Sequence, residues 1–174
     1  KFQPRKGYDI LLQSIKLLHS KYTSKLNCEF WLVGDGETKK DCIKYVKTNN
    51  LTNVKFFPFQ NQKQLKKYYK RADVFILPSR LEPWGLVINE AMASSNAIIC
   101  SDVVGARFDL VKKKINGFSF KTESYEDLAK KIAFFLKKKN ISTYQKNSYK
   151  IISRWGFEEG YIGFNKALKF IVNK

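Results

Sequence analysis

Methionine, histidine and cysteine are all scarce in this chain: one methionine (Met92), one histidine (His19) and three cysteines (Cys28, Cys42, Cys100). No Cys or His cluster has the short ligand spacings of a structural zinc site, so no such site is expected. Three widely spaced cysteines in apolar or helical settings fit free thiols in a reducing compartment better than disulfides. His19 is expected on a helix surface. Long apolar runs are missing too. None approaches the ~20 residues of a membrane span, and no charged-then-apolar leader precedes a cleavage site. Linkers rich in Pro, Gly or Ser, internal repeats and low-complexity segments are absent, so 1–174 reads as a single domain, closed by helical patterns over about 141–174. Because the sequence opens on Lys1 and its methionine is Met92, it is expected to be a piece of a longer protein.

Acidic residues are outnumbered, 15 against 33 Lys and Arg, which gives a formal charge of +18. Two readings compete: attraction to polyanions, or lysine-rich solvated helix faces. The clusters at Lys112–Lys114, Lys130–Lys131 and Lys137–Lys139 suit a basic face more than an inserted recognition helix. An anionic membrane surface fits such a face, and nucleic acid is the less favoured partner.

What is present is an alternation of short β-rich runs with longer amphipathic stretches. Helical patterns cover Tyr8–Tyr22, with Leu11, Ile15, Leu18 and Tyr22 on one stripe, then Thr38–Lys47, Gln62–Lys70, a segment from about Gly85, Arg107–Lys113, Tyr125–Lys138, Ser142–Arg154 and Glu158–Val172. Strand patterns cover Cys28–Val33, Val54–Phe57, Asp73–Leu77, Ala97–Cys100 and Gly117–Phe120. Alternation of this kind implies an α/β fold, a Rossmann-like parallel sheet flanked by helices on both faces. Ligands of such sheets bind beyond the carboxyl ends of the strands.

Gly34-Asp35-Gly36 ends one strand run and precedes a helix, the setting of a nucleotide-contacting turn or of a plain tight turn. A dinucleotide fingerprint would need glycine where Lys39 stands, which weakens a dinucleotide-binding oxidoreductase reading. The segment Glu82-Pro-Trp-Gly-Leu-Val-Ile-Asn-Glu90 says more. If a helix starts near Gly85, the amides of Gly85, Leu86 and Val87 are free to meet a phosphate. Side chains on a helix lean toward its N-terminus, so Glu90 can reach back toward the same ligand. Glu82, in the preceding loop, faces whatever hangs from that phosphate. Acids near a helix start also stabilise the macrodipole with no function at all, by ~0.3–1 kcal/mol.

Extended to Ala93, this segment resembles the paired-glutamate signature of retaining group 1 glycosyltransferases. Further matches fall in the family's order: Arg5-Lys6-Gly7, Val33-Gly34-Asp35-Gly36, Asn53–Phe56, Ala72-Asp73-Val74 with Pro78-Ser79, Ser101-Asp102 with Gly105, and Asn116-Gly117-Phe118. The resemblance covers residues 4 to about 136. It implies the C-terminal, donor-binding half of a two-domain fold whose N-terminal acceptor domain is absent here. Glu90 is then expected on the donor ribose, Glu82 on the donor sugar, and the backbone of Trp84, Gly85, Leu86 and Val87 along the sugar and phosphate. Lys6, with Arg5 beside it, would neutralise the diphosphate. The implied reaction transfers a hexose from a UDP- or GDP-linked donor to a glycan or lipid-linked acceptor with retention and without metal, needing no cofactor beyond the sugar nucleotide. The implied setting is the cytoplasm or the inner face of the cell membrane, in polysaccharide or cell-envelope biosynthesis. Two departures concern loops: Ser94-Ser95-Asn96 stands where a turn often holds glycine, and Arg107-Phe108-Asp109 where a Pro-Glu pair is more usual; Trp84 in place of the commoner phenylalanine keeps an aromatic wall.

Overall fold

The computed structural model describes residues 1–21, 26–137 and 141–172. Tyr22, Lys138 and Lys139, named above, lie outside the described residues. The elements run α1 (Tyr8–Lys21), β1 (Phe30–Val33), α2 (Lys39–Thr48), β2 (Val54–Phe57), α3 (Gln62–Arg71), β3 (Val74–Leu77), α4 (Leu86–Ala93), β4 (Ala97–Ser101), α5 (Arg107–Leu110), β5 (Gly117–Phe120), α6 (Tyr125–Lys137), α7 (Ile141–Ile152) and α8 (Phe157–Val172). A short 3-10 turn, Pro4–Lys6, precedes α1.

All strand pairs are parallel, β1 with β2 and β3 with β4 and β5. The expected single sheet is divided into two ladders, of two and three strands. Residues at the start of the chain tie the carboxyl ends of the two ladders together. Phe2 N–H donates to the Asp35 carbonyl after β1 at 2.8 Å, and Arg80 N–H, after β3, donates to the Arg5 carbonyl at 2.7 Å. Phe2 is fully buried, stacked on Tyr8 with ring centroids 4.2 Å apart.

β4 shows why the sequence folds this way. Every residue of Ala-Ile-Ile-Cys-Ser is buried, as a parallel strand covered on both faces requires. Ala97 and Ile99 join a cluster with Ile15 of α1 and Leu128 and Ile132 of α6, while Ile98 and Cys100 join Ile88, Ala91 and Met92 of α4. Each isoleucine so buried is worth about 1.5–3 kcal/mol. Helices α1 and α6 therefore cover one face, and α4 and α7 the other.

Some boundaries differ from expectation for identifiable reasons. α5 stops at Leu110 rather than Lys113 because the Asn116 side chain intercepts the backbone: Lys112 N–H donates to Asn116 Oδ1 at 2.7 Å, and Asn116 Nδ2 donates to the Leu110 carbonyl at 2.9 Å. His19 is half-buried rather than on the surface, its Nε2 2.7 Å from Asn53 Oδ1. α8 stands largely open, with Phe157, Tyr161, Phe164 and Leu168 exposed.

Candidate functional site

The site is built on the loop from Pro78 to Gly85, beyond the carboxyl end of β3. Two prolines hold this loop out of helix, and neighbouring backbone fixes it. Gly105 N–H donates to the Glu82 carbonyl at 3.1 Å and Ala106 N–H to the Trp84 carbonyl at 2.9 Å. The approach is so close that a Cβ on Gly105 would lie 1.9 Å from the Pro83 carbonyl oxygen. Ser79, fully buried, donates its hydroxyl to Glu82 Oε2 at 3.5 Å, while its carbonyl accepts from Ser101 Oγ.

Gly85 turns the loop into α4. Its φ of +97° lies in the left-handed region that glycine adopts without a Cβ penalty. The first backbone bond of the helix runs from Ile88 N–H to the Gly85 carbonyl at 2.8 Å. Among the described residues, the amides of Gly85, Leu86 and Val87 have no hydrogen-bond acceptor. A helix start of this kind carries partial positive charge and donors suited to an anion. Leu86 leaves its side chain exposed, Val87 is half-buried, and Trp84 donates from Nε1 to Asn89 Oδ1 at 3.2 Å.

Lys6 and Glu82, distant in sequence, form an ion pair whose side chains are 21% and 13% exposed. The backbone link from Arg80 to Arg5 places this lysine, and the Arg80 side chain reinforces it. Its guanidinium holds Asp9 through paired bonds of 2.8 and 2.6 Å, donates to the Pro4 carbonyl at 2.8 Å, and pairs with Glu123. The Arg80 side-chain bonds hold the Asp9 carboxyl below its usual range. Glu90 accepts from the Tyr69 hydroxyl at 3.1 Å. Burial, and then the Glu90 carboxylate beside it, pushes the Tyr69 phenol well up.

The sequence-derived residues are thus partly gathered. Lys6 and Glu82 meet, and Gly85 lies against them, since a Cβ there would stand 3.3 Å from Glu82 Cγ. Glu90 is engaged separately, by Tyr69. Gly34 and Gly36 connect through Phe2, whose carbonyl would sit 2.3 Å from a Cβ on Gly36. Arg5 contributes its carbonyl, while its exposed Nε donates to Gln3 Oε1 at 3.2 Å. Sequence reasoning missed the roles of Ser79, Arg80 and Tyr69, because each acts through a contact that no local pattern encodes. A cavity of about 270 Å³ lined by Glu29, Trp31, Phe57, Tyr68 and Arg71 lies on the β1–β2 ladder and includes neither Glu82 nor Glu90.

Comparison with known proteins identifies the family and the fold. The family model described as glycosyl transferases group 1 matches residues 1–151. An uncharacterized glycosyltransferase of Methanocaldococcus jannaschii is 26% identical over 167 residues, which cover 95% of this chain and 45% of that protein. Anabaena HepE in complex with UDP-glucose aligns with a TM-score of 0.76 at 25% identity, over 88% of this chain and 42% of HepE. The protein TarM aligns with a TM-score of 0.82 at 21% identity, over 95% of this chain and 33% of TarM, a likeness of fold. The chain spans less than half the length of each of these proteins. With a family match over most of its length, a parallel α/β fold and the paired-glutamate loop at a helix start, the chain belongs to the group 1 glycosyltransferases.

Proposed function

We propose that this chain binds the donor sugar nucleotide of a retaining hexosyltransferase, with a diphosphate at the start of α4, the sugar at Glu82 and the ribose at Glu90. The observation that carries the reading is the Lys6–Glu82 ion pair beside three amides without acceptors. Breaking the bond between the anomeric carbon and the diphosphate oxygen leaves negative charge on the diphosphate. Lys6 and the amides of Gly85, Leu86 and Val87 are the groups to stabilise it. Glu82, released from Lys6, accepts from donor-sugar hydroxyls, and Glu90 from paired ribose hydroxyls. The acceptor oxygen attacks on the face the diphosphate leaves, and its proton passes to a diphosphate oxygen. This route requires no metal.

A UDP-linked donor is favoured over a GDP-linked one by the HepE complex with UDP-glucose. An acceptor-binding half elsewhere in the same protein is supported by relatives more than twice as long. A glycan or lipid-linked acceptor is supported by an Escherichia coli O-antigen biosynthesis glycosyltransferase, 29% identical over 100 residues. The charge of +18 supports a cytoplasmic place near anionic lipid. No helix among the described residues is long and apolar enough to cross a membrane.

A thermal-shift panel of UDP, GDP, ADP and their sugars tests the reading. A ligand at a hundred times its Kd stabilises by about 2.7 kcal/mol. One nucleotide class is expected to raise the melting temperature, and Glu90→Ala to abolish the rise. Flat melts with every nucleotide, or an undiminished shift in the variant, would contradict it.

A further inference from the structure

We propose that Trp155 is a positioning residue for the donor loop, acting through Trp84. The proposal rests on the donor-site reading above. The loop from Glu82 to Gly85 is fixed on one side by its backbone bonds to Gly105 and Ala106. On the other side the Trp84 indole has two restraints: its Nε1 bond to Asn89, and the Trp155 ring, with centroids 5.9 Å apart and planes inclined by 38°.

Trp155 is itself held by a fixed support. Its amide donates to the Ile152 carbonyl at 3.0 Å, closing a turn at the end of α7. Ile151 and Ile152 pack on the same cluster as Trp84 and Val87, and α7 lies along α4. Trp155 therefore moves with the helix whose start carries the free amides. Core filling does not account for it, because it is 47% exposed and its surroundings open onto a groove of about 500 Å³ toward Phe157 and Tyr161. What the ring does is limit the rotamers of Trp84, the residue directly before the left-handed Gly85. Without it the indole gains freedom, and the amides of Gly85 and Leu86 lose the fixed aim that anion binding needs.

The test uses UDP as probe, with titration calorimetry on the full chain and on Trp155→Phe and Trp155→Leu. Phenylalanine retains an aromatic partner for Trp84; leucine fills space without one. Expected is a Kd for Trp155→Phe within about twofold of the parent and a Kd for Trp155→Leu weaker by roughly three- to tenfold, the worth of an aromatic pair, with the melting temperature falling by no more than the loss of that pair. Circular dichroism of the parent should show a tryptophan exciton couplet that both variants lose. Equal Kd values for Trp155→Leu and parent, equal weakening in both variants, or a parent without the couplet would overturn the proposal. A parent that binds no nucleotide at all would instead fail the donor reading, and the positioning role with it.

Discussion

Side-chain surroundings set what individual residues can do, and the three thiols illustrate it. Burial raises all of them, Cys42 to about 11 with Asp9 and Asp41 adding to the effect, and Cys100 to about 12. Cys28, half-buried, is raised as well. The thiolate is the reactive form, so the folded chain should alkylate slowly at neutral pH. We expect Cys28 to label first and Cys100 last in a maleimide time course read by peptide mass spectrometry; Cys100 labelling as fast as Cys28 would contradict this. At the same scale, the positions of Glu82 in the loop before α4 and of Glu90 within the helix were legible in the sequence, because the prolines and Gly85 mark where the helix can start. Their partners were not. Lys6 is drawn to Glu82 and Tyr69 to Glu90 by packing between separate elements, which no local window reveals.

Elements were more legible than contacts. The strands follow from apolar runs bounded by turn residues, and β2, α8 and β5 begin or end within a residue or so of expectation. Misjudged ends trace to side chains that compete for backbone, as Asn116 does after α5. Division of the strands into two ladders was not readable, since apolar pattern reports burial and not which strand lies beside which. The end of α4 offers a stability test. Ser95 takes φ +63° and donates to the Met92 carbonyl at 2.9 Å, while Asn96 N–H donates to the Ala91 carbonyl at 3.0 Å. This is the double bond of a Schellman ending, whose left-handed position prefers glycine. Ser95→Gly should therefore stabilise the chain by about 0.5–1 kcal/mol, the left-handed penalty less the added chain entropy of glycine. Denaturant titration measures it, and an unchanged or lower midpoint would refute the assignment.

For the molecule as a whole, the Arg80 cluster joins three distant stretches: the start of α1, the loop after β3 and the turn after β5. Asp9 carries its acid sensitivity. Its carboxyl is lowered in the folded chain, so its contribution is complete above the unfolded value near 3.9 and is lost as pH falls through the lower folded value. Thermal melts between about pH 6 and pH 2 should show Asp9→Asn less stable by a constant margin down to about pH 4, with the margin closing below it. A margin unaffected by acid would exclude the Asp9–Arg80 contact as its source. The charge of +18 acts on the same scale and should hasten the arrival of any anion. Arrival differs from retention, however, because Lys6 is already paired with Glu82. On the donor reading proposed above, a molecule that brings only negative charge would win Lys6 by leaving a carboxylate stranded, and one that brings only hydroxyls would have nothing with which to draw the lysine away. Under that proposal the pair is a gate with two keys, opened by a visitor that carries both.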